Sequence, residues 1–161
     1  MKDKMKKQPA AKRNLQPSEI LQSEKLYRKY SFLIDEAQPV NISFDMNRKI
    51  IDVNELALKL LGFEKKDLLG KDILELIVPQ HREKAAQGFA LDLQGIENPT
   101  VEVDIIGKEG IRTFLFAQDA VALFENNQQV GVSANAFDIT KLKKTERELQ
   151  QSIQAYQLLM D

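Results

Sequence analysis

The sequence predicts an α+β domain: a five-stranded antiparallel sheet with helices packed on one face, flanked by N- and C-terminal amphipathic helices. Three observations predict it. Residues 39–53 hold two short apolar strands joined by a tight turn. Residues 54–94 then change to helical spacing, closed at Gly62 and reopened at Pro79. Residues 100–137 return to alternation, broken by Gly107-Lys108-Glu109-Gly110 and by Glu125-Asn126-Asn127-Gln128, which is the pattern of a meander.

The elements follow in order. Residues 1–16 carry Lys, Gln, Pro and Asn with little to bury, and are expected to form a disordered basic tail. Residues 17–36 form the N-terminal flanking helix, with Ile20, Leu21, Leu26, Tyr27 and Tyr30 along it and Ser18 as its cap. The domain proper spans residues 37–140. Its first two strands are Pro39 to Asp45 and Lys49 to Val53. Asn54 then caps a helix to Leu61, because its side chain can accept a free backbone N–H. Glu64 to Leu69 and Asp72 to Ile77 are short helical turns, and Pro79 opens a longer helix that ends near Gln94-Gly95. Thr100 to Ile106 is the third strand, with Val101, Val103 and Ile105 on one face and Glu102 and Asp104 on the other. Arg112 to Phe124 reads as one long fourth strand and Gln129 to Phe137 as the fifth, with Gly131 near its start. Residues 141–161 form a C-terminal linker helix.

Composition excludes several classes. The 161 residues, 43% of them hydrophobic, allow one domain with a real core. Charges of 23 basic against 24 acidic residues leave a net −1, which gives no pull toward nucleic acid or membrane surfaces. No run is long and apolar enough to span a bilayer, and the basic opening lacks the apolar stretch of a signal peptide. Cysteine is absent, which removes disulfides and thiolate chemistry and suits a reducing compartment. The expected location is cytoplasmic.

Two motifs together identify a family. Ser43 to Phe63, with Phe44-Asp45, Ile50, Val53-Asn54, Ala57 and Leu60-Leu61-Gly62-Phe63 followed by Leu69-Gly70-Lys71, resembles the N-terminal half of a PAS domain. Gly131 to Leu149 resembles the C-terminal half, in which a strand runs into Asp138-Ile139-Thr140 and then a charged helix. The resemblance covers about residues 20–150. It implies a sensory module from a larger signal-transduction protein, most simply a histidine kinase. A repeat supports a serial arrangement: Glu19, Gln22, Ser23 and Tyr27 recur at constant spacing as Glu148, Gln151, Ser152 and Tyr156. The helix leading in therefore resembles the helix leading out, and Asp161 is expected to be followed by another domain.

Catalytic and cofactor chemistry find little support. His81 is the lone histidine and lacks companion ligands, so a surface or helix-start role is expected. Haem-binding members of the family place their ligating His farther along this helix, near Ala85, Ala86 and Gln87. Flavin-adduct and yellow-type members need a Cys, and redox-flavin members often stack a Trp; both residues are missing. Haem and flavin are thus disfavoured. Ser43, Thr113 and Ser133 have no base beside them, so no enzyme is expected in this chain. A small α+β hydrolase or isomerase would need a polar pocket dyad that the sequence does not offer.

A cavity is the better expectation. Val132, Ala134 and Ala136 on the inner face put small side chains mid-sheet, with Ala117 beside them. Val103, Ile105, Leu115 and Phe89 complete the candidate pocket for an unknown small molecule. The alternative is that Phe89, Leu93, Leu115 and Ile105 fill the space and the domain is a structural dimerisation spacer. A void above about 100 Å³ would favour sensing and a filled core the spacer. Phe114 to Ala117 is apolar on both sides, so the outer face needs cover from Leu26, Tyr30, Phe32 and Leu33, or from a second chain. In the C-terminal helix, taking Leu142 as position d places Glu146 at a, Leu149 at d, Ile153 at a, Tyr156 at d and Met160 at a. That seam predicts a homodimer. Signals would pass from the sheet through Asp138 and Thr140 into the seam, toward neighbouring PAS or kinase domains.

Overall fold

Among the described residues, seven strands join one antiparallel sheet in a computed structural model that describes residues 6–9, 16–117 and 120–160. The centre is β2 (Val40–Asp45) beside β7 (Gln128–Asp138), with Ile42 opposite Ala134 and Phe44 opposite Val132. β3 (Ile50–Val53) lies outside β2. On the other side of β7 sit β6 (Val121–Glu125), along its first half, and β5 (Gly110–Phe116), along its last turn. β4 (Val101–Gly107) pairs with β5.

The fourth strand is therefore two strands. Phe116 stands opposite Ala136, whereas Val121 stands opposite Ser133. Five steps of chain separate Phe116 from Val121 but only three separate Ala136 from Ser133, so β5 and β6 cannot form one continuous ladder on β7. Because β4 reaches only β5, the outer edge of β6 needs another partner. β1 (Lys6–Pro9) supplies it, with Lys6 opposite Phe124 and Pro9 opposite Val121. This corrects the expectation of a tail without structure at those four residues. Residues 1–5 and 10–15 of that stretch, and Asp161, lie outside the described residues.

Local chemistry explains the helices. α1 (Pro17–Glu36) starts on Pro17 itself, whose missing N–H costs nothing at the first position. Ser18 lies inside that first turn and is not its cap. Asn54 caps α2 (Glu55–Leu61), its Oδ1 accepting the Ala57 N–H at 3.0 Å, and Gly62 ends the helix at φ 79°. α3 (Lys65–Leu68) is held by reciprocal Glu64 and Asp67 contacts. Asp72 caps a 3₁₀ turn at Ile73–Leu76, and a second 3₁₀ turn at Pro79–His81 leads into α4 (Arg82–Leu93).

The core lies between α2 to α4 and the inner sheet face. It includes Phe44, Ile50, Leu61, Ile105, Phe114 and Val132. Phe89 fills its centre, edge-on to Phe44 at 4.9 Å between ring centres. The outer face carries a smaller cluster in which Tyr30 and Leu26 of α1 cover Leu115 and Ile139. Phe32, expected to join this cover, is 79% exposed. The Leu33 side chain lies outside what is described. α5 (Thr140–Met160) leaves the sheet with none of its residues buried.

Gly131 lies inside β7, not at its start, and packing explains the glycine. A Cβ there would lie 1.8 Å from the Phe44 carbonyl oxygen on β2.

Candidate functional site

The interior void is small. About 20 Å³ remain between α4 and the sheet, lined in part by Phe89, Val103, Ala117 and Ala134. Ile105, Val132 and Ala136 are buried in the same core but do not border that void. Leu115 belongs elsewhere. Phe114 and Phe116 point inward, so alternation sends Leu115 outward to Tyr30 and Ile139. Ala117 shares Leu115's parity yet reaches the void, because β5 ends at Phe116 and the alternation ends with it.

The void has one polar wall that sequence reasoning missed. Asp92, on the last turn of α4, is 7% exposed and borders it with Asn98 and Lys84. Burial pushes the Asp92 carboxyl up from its ordinary 3.8 to about 7, against the opposing pull of a hydrogen bond from Asn98. An acidic residue inside the apolar run Phe89-Ala90-Leu91-Asp92-Leu93 was the available signal. Outside this wall, a groove of about 640 Å³ separates α1 from α4 and the start of β4, with Gln22, Leu26, Gln87 and Leu91 along it.

His81 is absorbed structurally: its Nδ1 accepts the Asp104 N–H at 3.0 Å, tying the start of α4 to β4. Among the described residues, no cluster of His, Cys, Asp or Glu is arranged to hold a metal. No helix among them is long and apolar enough to cross a membrane.

The junction at the end of β7 is densely tied. One Asp138 oxygen accepts from the Arg112 guanidinium at 2.6 Å, and the other accepts both the N–H and the hydroxyl of Thr140. Thr140 Oγ1 in turn accepts the Thr113 N–H at 3.0 Å, and the Ile139 N–H donates to the Thr113 carbonyl at 2.9 Å. The Thr113 hydroxyl then donates to Asp104 at 2.7 Å, so the ties run from His81 across β4 and β5 to the first residue of α5. Arg112 and Thr113 are as much part of this junction as Asp138 and Thr140. Sequence alone did not pair them, because the partners meet only through the β5–β7 register.

The two flanking helices meet beside it. Lys29 pairs with Glu146 at 2.7 Å, and that contact raises the Lys29 pKa and lowers that of Glu146. Glu102 of β4 accepts from the Tyr30 hydroxyl and pairs with Lys143. The charged residue of the seam, Glu146, is thus turned to α1. The remaining seam residues Leu142, Leu149, Ile153, Tyr156 and Met160 are all exposed.

A sheet clasped over a short-helix layer, closed by this Asp-Ile-Thr junction, defines a class of sensory fold. Residues 39–141 match the family model for the PAS domain, and the chain belongs to that family. No curated protein matches it. Among solved structures, the PAS domain of a Colwellia psychrerythraea protein is 25% identical at a TM-score of 0.54, covering 72% of this chain and 98% of its own. A sensory box histidine kinase/response regulator from Burkholderia thailandensis shares the fold at 17% identity and a TM-score of 0.55, covering 80% of this chain and 98% of that one. The PAS domain of the RpfR quorum-sensing receptor of Cronobacter turicensis, in complex with C12:0, does so at 22% identity and 0.50, covering 65% and 97%.

Proposed function

We propose that this PAS domain is a cytoplasmic sensory relay that works as a homodimer, passing changes in its sheet through Asp138 and Thr140 into α5 and on to an effector of the histidine kinase kind. The junction carries this reading. Thr140, the first residue of α5, is hydrogen-bonded to both β5 and β7, so the two strands cannot shift without moving the helix start. The exposed stripe of α5 supplies the output surface, and Leu21, Tyr27 and Phe32 expose further apolar area on α1. About three heptads pair weakly alone, so both helices would contribute to the dimer. Neighbouring PAS or kinase domains of the parent protein are the natural receivers. The lack of cysteine suits the cytoplasm.

A specific observation favours a second reading. The interior void of about 20 Å³ has room for no more than a water, as a spacer with a filled core would. Native mass spectrometry of the purified chain separates the two, since the sensory reading expects a retained or added small molecule and the spacer reading expects none. The dimer is tested separately by light scattering. Leu149→Glu with Ile153→Glu should convert dimer to monomer while the domain keeps its circular dichroism spectrum. A monomer in the unaltered chain at high micromolar concentration refutes the pairing.

A further inference from the structure

We propose that the gap between Gly88 and Asn98 is the mouth of a binding site for a small apolar amine, whose ammonium pairs with Asp92 while its hydrocarbon part lies in the groove between α1 and α4. This rests on the sensory reading and adds the chemical class of ligand and its route.

The route comes from shared walls. Lys84, Gly88, Asn98 and Val101 border both the interior void and the outer groove. At this shared wall the Asn98 side chain lies over a glycine. A Cβ at Gly88 would sit 2.7 Å from Asn98 Nδ2, so the amide occupies the space a side chain would have taken. Asn98 stands on the connection between α4 and β4, outside any helix or strand. Turning it aside joins the void of about 20 Å³ to a groove of about 640 Å³, which is the size of a small-molecule site.

The ligand class comes from the charges. Among the described residues that line the void, Asp92 and Lys84 alone are ionisable, and no Arg or His accompanies them. The Lys84 ammonium is engaged at the rim, donating to the Glu102 carbonyl at 2.6 Å. Glu102's own carboxylate, the other charge on the groove, is taken by Tyr30 and Lys143. No charged residue from β5 or β7 borders the void among those described. Among the described residues, Asp92 is therefore a buried carboxyl whose hydrogen-bond partner, Asn98, is neutral. A buried carboxylate is costly without a cation, and a ligand ammonium reaching it from the groove would supply one. A ligand carboxylate would instead bring a like charge to the same low-dielectric wall. Burial holds Asp92 near neutrality at about pH 7, so the site gains its charge as the pH rises and an amine should bind more tightly there.

The test compares hexylamine, hexanol and hexanoate binding to the full chain, by calorimetry and by amide chemical shifts around Gly88 and Asn98. Hexylamine should bind at least about tenfold more tightly than either other probe at about pH 8, and should weaken toward about pH 6. Asp92→Asn should erase the preference for hexylamine over hexanol and hexanoate. Should that variant not fold, the pH dependence of hexylamine binding to the unaltered chain decides between the outcomes. Hexanol or hexanoate binding as tightly as hexylamine overturns the amine assignment but leaves the sensory reading standing. A preference that survives Asp92→Asn, or that does not change with pH, overturns the assignment of Asp92. If no probe of any charge binds, this inference falls together with sensing at this site.

Discussion

Replacing Asp92 by Asn should make the protein more stable at neutral pH than at acid pH relative to the parent. Asp92 is buried, and its carboxyl is raised from 3.8 to about 7 chiefly by desolvation. Below about pH 4 both folded and unfolded chains hold this proton, and the group costs folding nothing. Between 3.8 and about 7 the unfolded chain releases the proton first, so the folded state binds more protons and stability falls as pH rises. Above about 7 the penalty is complete, with a ceiling of about 4 kcal/mol for a displacement of this size. Asn keeps the volume and can still hydrogen-bond to Asn98, so the variant lacks only the ionisation. Urea unfolding of both proteins from about pH 4.5 to about pH 8 gives the difference directly, because every other titrating group is common to both. The variant should gain on the parent by about 2–4 kcal/mol across that range. Parallel stability curves, or a parent that gains on the variant as pH rises, would refute the reasoning.

Asn54→Ala should lose about 0.5–2 kcal/mol, since it removes the acceptor of the Ala57 N–H, and a melting temperature unchanged within error would remove the argument. Gly131→Ala should lose about 3 kcal/mol or more, because its Cβ would meet the Phe44 carbonyl of β2, and chemical denaturation would show it as a lowered midpoint with little change in slope. The purified protein should carry neither haem nor flavin, and a Soret band or a flavin spectrum that survives gel filtration would contradict this.

Where the sequence was legible, the determining contacts were close along the chain. Asn54 and Gly62 bracket α2 through bonds spanning three or four residues, and such caps need nothing from the rest of the fold. The tight turn at Asn126-Asn127, both in the left-handed region, belongs to the same kind. With the order of strands and helices, these local signals were enough for the family and its sheet. Tertiary structure alone decided the rest. The split between β5 and β6 follows from how each pairs with β7, and Leu115 faces outward because Phe114 and Phe116 on either side of it face the inner core. In Phe114-Leu115-Phe116-Ala117 both parities are apolar, so alternation could not say which was inner. Asp138 finds Arg112, and β1 finds β6, across long stretches of chain. Asp92 reads as one more acidic residue on a helix until the connection after α4 folds Asn98 over it. Caps and turns are fixed by neighbours a few residues away. Facing, burial and titration depend on which distant segment arrives, and only the assembled sheet settles that.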